Sequence, residues 1–296
     1  MTNRLEINWK LDGFVDEQRY YCSETHIDIN NLPAPKVILG AEVRSYSDTE
    51  IEAGKKYFIR IGSAKNSIEK LSDEVEIDTN RDDFWSSVVS LIKFNGENGS
   101  IVFSDEKGFN WNRGGSTKIS TDQSKFGGSS ALFNGSTDYL STNYSNEFNL
   151  DGGGDFTAEC FIFCNNSSNS PYIFHFYSSN SNRWALLIDS QTGFLSIYTT
   201  VNNHSYLTTS QLQLSEWAHV AITRKNGVTK FFLNGILGFE GNILYHNSST
   251  QIILGSAQFI ASSNYFSGFI DSFRVTRGVC RYSENFTPPG IEFPNS

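Results

Sequence analysis

Residues 216–235, EWAHVAITRKNGVTKFFLNG, constrain the fold more than any other stretch of the chain. Asn226-Gly227 separates two runs of alternating character. Asn-Gly is the dipeptide best suited to a two-residue type I′ turn, because both central positions need positive φ. A turn there sets the register: Lys225 faces Val228, Ile222 faces Phe231, and Val220 faces Leu233. Side chains alternate along a strand, so Val220, Ile222, Phe231 and Leu233 share one face. Ala221, Thr223, Lys230 and Phe232 share the other. A second Asn-Gly at 234–235 turns the chain again. Antiparallel sheet with two unlike faces suits a β-sandwich.

Composition extends this reading to the whole chain. Among 296 residues there are 24 Phe, 13 Tyr and one Met. Aromatics favour strands, and the plentiful Asn, Ser and Gly supply turns. No stretch of helical periodicity is long enough to anchor a helical domain. A net charge of −9 opposes a phosphate-neutralising surface, so no nucleic-acid partner is expected. No apolar segment follows Met1, so neither a signal peptide nor membrane insertion is expected. Cys22, Cys160, Cys164 and Cys280 match no zinc spacing. Cys160 and Cys164 would face one side of a strand, too far apart for an easy disulfide. All four are expected to be free and mostly buried.

The all-β pattern falls into two units, 1–80 and 86–296, joined by the polar run TNRDD at 79–83. In the first, LEINWKL (5–11) alternates Leu5, Ile7 and Trp9, and KVILG (36–40), KKYFIRIGSAK (55–65) and EKLSDEVEID (69–78) follow as strand-rich segments. With Trp9 early and Tyr57 opening a strand after a short turn, this unit resembles a fibronectin type III domain. That resemblance implies two small sheets closed over a buried Trp and an aromatic corner. Trp9 lies so near Met1 that little chain remains for a first edge strand. An open sheet edge invites pairing with another chain. Residues 1–80 are therefore expected to mediate attachment or homo-oligomerisation.

The second unit has its own ordered set of motifs. They are SKFGG (124–128), Asp138-Tyr-Leu, Trp217-x-His219-Val-Ala, Leu233-Asn-Gly, Gly268-x-Ile270-Asp271 with Arg274, and Arg281-Tyr-x-x-Asn-Phe-Thr-Pro-Pro. In that order they resemble the laminin G-like, concanavalin A-like jelly roll, in the variant carried by phage virion and tail proteins. The match covers roughly 88–290, and short strands with regular turn signals point to the same fold class. The resemblance implies a tail-fibre or other tail-associated virion component. Its partners would be host surface glycan or other virion proteins.

Fold alone does not decide chemistry. Hydrolysis of glycosides needs two carboxylates across the scissile bond. The hydrolases of this fold usually carry them as Glu-x-Asp-x-x-Glu, a spacing absent here; the acids of the second unit are scattered, Glu159 among them. His219 alternates with Trp217 and Ala221 and reads as a packed sheet histidine. Asp271 stands where the apolar alternation changes phase, Phe269 and Ile270 giving way to Phe273 and Val275, which indicates a β-bulge. A carboxylate in such a strand needs a partner. Either it caps backbone N–H groups, or, as the resemblance implies, it holds a structural calcium with help from Asp105 or Asp138. Tyr144, Tyr172, Tyr206, Tyr245, Trp111 and Trp184 read as aromatics in loops, and 164–183 and 198–210 as Asn/Ser/Tyr-rich loops suited to sugar contact. The expected function is non-catalytic binding of surface glycan. The alternatives are a virion scaffold making only protein contacts and a carbohydrate-active enzyme with a non-standard site.

Overall fold

The computed structural model describes residues 5–52, 54–150, 154–200, 204–243, 250–257 and 264–296, with the backbone alone at 204–207, 209 and 210. The polypeptide divides into two compact units, 1–82 with Ser296, and 83–295. The polar segment after Asp78 separates them in sequence. Limited proteolysis is expected to cut first within 79–84 and leave two resistant fragments. A first cut inside 216–235 would contradict that expectation.

The first unit contains β1 (Leu5–Asn8), β2 (Glu17–Ser23), β3 (Val37–Gly40), β4 (Ser45–Asp48), β5 (Lys56–Lys65), β6 (Ile68–Leu71) and β7 (Val75–Asp78). β1 pairs with β4 in a two-stranded sheet; the other sheet runs β3-β2-β5, and β6 and β7 share the far edge of β5. Tyr20, Ile59 and Ile61 are buried between Leu5, Ile7, Trp9 and Tyr46. Trp9 is half-buried rather than buried, and its indole N–H donates to Gln18 Oε1 at 3.0 Å. The enclosed aromatic is Tyr20, whose hydroxyl donates to Asp48 at 2.9 Å, and Lys36 holds the same carboxylate. Burial pushes the Asp48 carboxyl up, but Lys36, the Glu50 N–H and Tyr20 outweigh it and hold it below its ordinary value. The Tyr57 hydroxyl accepts the Glu52 N–H at 3.0 Å, an aromatic corner at the start of β5. β2 and β4 were not foreseen from sequence. EQRYYCS shows no clean alternation because Tyr20 and Tyr21 pack into different clusters on opposite faces.

The second unit is a jelly-roll sandwich. Its larger sheet joins β8 (Val88–Ile92), β10 (Lys118–Ser120), β11 (Ser130–Asn134), β13 (Phe156–Asn166), β18 (Trp217–Lys225), β19 (Val228–Leu233), β20 (Ile236–Asn242) and β22 (Ser267–Arg277). Its order is β10-β11-β22-β13-β18-β19-β20, with β8 also paired to β22. The second sheet takes β9 (Trp111–Gly114), β12 (Tyr139–Thr142), β14 (Tyr172–Ser179), β15 (Asn182–Ile188), β16 (Phe194–Thr199), β17 (His204–Gln211) and β21 (Gln251–Leu254), in the order β17-β16-β15-β14-β21-β12-β9. All of its pairs are antiparallel.

The β18–β19 hairpin has the register set by Asn226-Gly227: Lys225 opposite Val228, Ile222 opposite Phe231, Val220 opposite Leu233. Asn226 and Gly227 take φ of 49° and 86°, as a type I′ turn requires. Val220, Ile222, Phe231 and Leu233 enter the core between the sheets; Ala221 and Phe232 lie on the outer face. That outer face is covered by the C-terminal segment, through Tyr282 and Phe286 over Phe232 and Phe293 over Phe161. The four cysteines are free, but only Cys160 and Cys164 are buried, both on the core side of β13; Cys22 and Cys280 are half-buried. Burial pushes the Cys164 thiol up to about 11.

Candidate functional site

The bulge expected near Asp271 is present. Between the pairs Glu159–Arg274 and Phe161–Asp271, two residues of β22 oppose one of β13, and Ser272 takes a φ of 50°. The bulge aims Asp271 at the SKFGG loop. Asp271 Oδ2 accepts the N–H groups of Lys125 at 2.8 Å and Phe126 at 3.0 Å, and Oδ1 accepts the Ser272 hydroxyl at 3.1 Å. Burial pushes its pKa up to about 6 against those donors. The loop can turn this closely because Gly127 has a φ of 60° and a Cβ there would meet Asn95 Oδ1 at 1.8 Å.

Asp105 and Asp138 serve other loops. Asp105 accepts the Ser90 hydroxyl at 2.5 Å, the Lys107 N–H at 2.7 Å and the Trp111 indole N–H at 3.0 Å. Asp138 accepts the Ser116 N–H at 2.6 Å and the Asn134 N–H at 3.0 Å. The structure therefore does not bring Asp271, Asp105 and Asp138 into one ligand set. Among the described residues no group of three His, Cys, Asp or Glu side chains is placed to hold a metal. N–H and O–H donors already point at the lone pairs a calcium ion would use, an arrangement that fits the backbone-capping alternative.

Glu159, one of the scattered acids in the sequence, is the hub of the outer face of the larger sheet. It is fully buried, as is His219, and Arg274 is 4% exposed. Glu159 Oε1 accepts Arg274 Nε at 3.0 Å and Nη2 at 2.8 Å; Oε2 accepts the Tyr282 hydroxyl at 2.8 Å and lies 3.1 Å from His219 Nε2. Burial pushes the carboxyl up, but Arg274, His219 and Arg281 outweigh it and hold it well below the ordinary carboxylate range. His219 is thus the packed sheet histidine its alternation indicated. The cluster is closed over by aromatic rings, including Phe293 with the Arg274 guanidinium 3.8 Å from its centroid. A carboxylate held ionised at neutral pH and fully paired has no proton to give a substrate there.

The outer face of the second sheet differs. A register shift in β14 puts both Ile173 and Phe174 into the core and returns Tyr172 to the outer face beside His175 and Tyr177. Across the strands His175 lies between Ile253 and Ala185, and Ala185 is opposite Tyr198; Tyr177 lies between Gln251 and Arg183. The His175 ring stacks on Tyr172 with centroids 5.5 Å apart and meets Tyr177 edge-on at 5.4 Å. Burial, aided by Arg183, drops its pKa to about 3, so the imidazole is neutral at physiological pH. Neither ring nitrogen has a hydrogen-bond partner, and Arg183 Nε and Gln251 Oε1 on the same face are also buried and unpartnered. Unmatched buried polar atoms are costly and mark places where water or ligand completes the set. The accessible part of this face is the half-exposed Tyr177, Tyr198 and Arg183, with the guanidinium 5.3 Å from the Tyr198 centroid. Tyr144, 53% exposed, lies close enough to Tyr177 for the two hydroxyls to interact electrostatically, and burial followed by Tyr177 raises its pKa.

The loop assignments made from sequence change accordingly. Much of 164–183 and 198–210 is strand, in β13, β14, β15, β16 and β17. Trp111 and Trp184 are core residues, 7% and 4% exposed, and Trp184 stacks on Phe176 at 4.4 Å. Tyr172 is on β14, Tyr206 is on β17 without a described side chain, and Tyr245 lies outside the described residues.

Two facing antiparallel sheets, one outer face sealed by the C-terminal segment and the other carrying tyrosines, define a lectin-like sandwich. The chain belongs to the concanavalin A-like lectin/glucanases superfamily, whose laminin G-type family model matches residues 134–282. No curated protein matches the sequence. Domain 4 of the extracellular arabinanase AbnA from Geobacillus stearothermophilus, solved in complex with arabinotriose, is 15% identical with a TM-score of 0.51, covering 66% of this chain and 94% of that one. The binding domain of botulinum neurotoxin serotype D is 18% identical with a TM-score of 0.50, covering 67% of this chain and 50% of that one. A botulinum neurotoxin type C structure, whose cell entry depends on two ganglioside molecules, is 16% identical with a TM-score of 0.51, covering 66% and 49%. The chain thus spans about half the length of the toxin domains it resembles, and these likenesses carry the fold.

Proposed function

We propose that the second unit is a non-catalytic glycan-binding module whose binding surface is the outer face of the smaller sheet around Tyr144, Tyr177, Tyr198 and Arg183. The observation that carries this reading is the coincidence on one face of accessible tyrosine rings with unpartnered polar atoms behind them. Ring faces suit the apolar side of a sugar, and amide, imidazole and guanidinium groups suit its hydroxyls. The arabinotriose complex and the ganglioside dependence of two similar folds support the same ligand class. The half-buried Asp105 and the buried Asp138, Glu159 and Asp271 are each held by hydrogen bonds, which supports binding without turnover. The first unit is read as fibronectin type III-like, supported by Trp9, Tyr57 and the Tyr57–Glu52 corner. The order of motifs from SKFGG to the terminal Pro-Pro supports a place on a phage virion as a tail-fibre or tail-associated component.

A glycan array probed with the full chain should show binding to a defined class of surface sugar. Tyr177→Ala and Tyr198→Ala should each weaken it about tenfold, which is about 1.4 kcal/mol. Array silence, with the chain instead binding only purified virion proteins, would replace this reading by the scaffold. Turnover of a bound polysaccharide would replace it by the enzyme.

A further inference from the structure

We propose that the saccharide held on the outer face of the smaller sheet carries a carboxylate, and that Arg183 is the residue that selects it. This inference rests on the glycan reading and names the ligand class within it. The strands of that sheet contain no Asp or Glu, in a chain of net charge −9. From Cys160 to Ser215 the sequence has one acid, Asp189, and from Gly241 to Ile270 it has none. The larger sheet, by contrast, carries Glu159, Glu240 and Asp271.

Cations are as sparse. The strands of the smaller sheet contribute Arg113 and Arg183. Arg113 stands opposite Leu140, a core residue, so it lies on the inner side of the edge strand β9. Arg183 stands opposite Tyr177, on the outer face. His175 is neutral there. Arg183 is thus the single charged group of the outer face among the described side chains. Its position is fixed: its N–H donates to Thr200 Oγ1 at 3.1 Å, and its carbonyl accepts the Thr200 N–H at 3.1 Å. Its Nη1 donates to the Asn180 carbonyl, and Nε is buried without a partner. Elsewhere in the unit Arg274 and Arg281 share Glu159, and Arg277 meets Glu147. Arg183 has no ion pair among the described residues.

Asp189 does not supply the missing charge. It lies six residues further on, past the end of β15, about 20 Å away at ~3.3 Å per residue. It accepts the Thr192 hydroxyl at 2.7 Å. Exposed charges are screened beyond about 8 Å at physiological salt. A ligand on this face therefore meets the field of Arg183 rather than that of the whole acidic chain. A guanidinium presents planar, paired N–H donors that match a carboxylate, and such charge-assisted hydrogen bonds are about twice as strong as neutral ones. A uronic or sialic acid would answer the cation while its ring lies against Tyr177 and Tyr198; a neutral sugar would leave the charge unmatched.

The test uses the full chain on an array of neutral, uronate-containing, sialylated and sulfated oligosaccharides. The bound members are expected to be carboxylated, and the array itself shows whether uronate or sialate is the source. A bound member is then compared by calorimetry with its carboxyl-reduced form, in which the carboxylate has become a primary alcohol. Reduction should weaken binding by about tenfold or more in the wild type and by no more than about twofold in Arg183→Gln. Raising salt from about 50 mM to about 500 mM should weaken the carboxylated form alone, an arm that needs no variant. Equal binding of the two forms, indifference to salt, or bound members that are neutral or sulfated but not carboxylated would overturn this inference and leave the glycan reading standing. A carboxylate preference that survives in folded Arg183→Gln would overturn the role of Arg183. Silence of the whole array would remove the glycan reading and this inference with it.

Discussion

Glu159→Ala is expected to lower the stability of the second unit by roughly 3–5 kcal/mol, the range for removing one partner of a buried ion pair. The variant leaves Arg274 charged, 4% exposed and without its bidentate acceptor, and it strips the acceptor from Tyr282. Glu159→Leu combined with Arg274→Met should recover much of that loss, because well-packed apolar residues often replace a buried pair without penalty. Urea titration of each variant measures both effects. A loss below about 1 kcal/mol for Glu159→Ala would contradict a buried, fully ionised pair. The same geometry sets a pH dependence. The Glu159 pKa in the folded chain lies below its ordinary 4.5, so its contribution is present above that value and is lost as pH falls and the unfolded chain takes the proton first.

Glu159 also shows what the recognisable motifs of this sequence encode. His219 comes from the Trp-x-His-Val-Ala motif, Arg274 from the stretch after Gly-x-Ile-Asp, and Tyr282 from the Arg-Tyr run near the C-terminus. All three converge on one carboxylate. SKFGG and Asp271 meet in the same way. These motifs fix how the larger sheet is closed by its loop and its terminal segment. That is why the fold was legible: each is a local pattern with a local geometric demand, as Asn226-Gly227 is. Glu159 itself was not legible as their hub, because its partners are 60 to 123 residues distant in sequence.

The proposed sugar-binding face was legible only in part. Tyr172 and Tyr144 stood out as aromatics. His175 was one histidine among five, and Tyr177 and Tyr198 lay in segments that read as loops. The register shift at Ile173 decides which aromatics share a face with His175, and a period-two pattern with one slipped residue assigns them to the wrong side. Trp184 was misread for the opposite reason: a polar sequence neighbourhood, Asn180 to Arg183, flanks a side chain that the pleat turns inward onto Phe176. Ladder pairing across four strands brings the face together, and no one segment contains enough of it to announce the site.

Asp271 separates capping from calcium binding by substitution and by pH. Asp271→Ala leaves the N–H groups of Lys125 and Phe126 without their acceptor, at about 1–3 kcal/mol for each buried donor. Asp271→Asn retains an oxygen for both and can offer its amide N–H to the Ser272 hydroxyl. If capping is the role, the Asn variant at pH 7 should be at least as stable as the wild type, and added calcium should leave the wild-type Tm unchanged. If the carboxylate holds calcium, both variants should lose stability and a calcium-dependent rise in Tm should vanish with them. The pH profile supplies an independent reading. Burial raises the Asp271 pKa from 3.8 to about 6, so the folded chain binds more protons than the unfolded chain between those values. Stability from this group is therefore full below about pH 4 and declines as pH rises through 6, by about 3 kcal/mol over the whole interval. The sign is opposite to that of Glu159, whose contribution fails on the acid side. The two groups together place a stability maximum between those limbs. Asp271→Asn should flatten the upper limb and leave the lower one, because an amide has no proton to release as the pH rises.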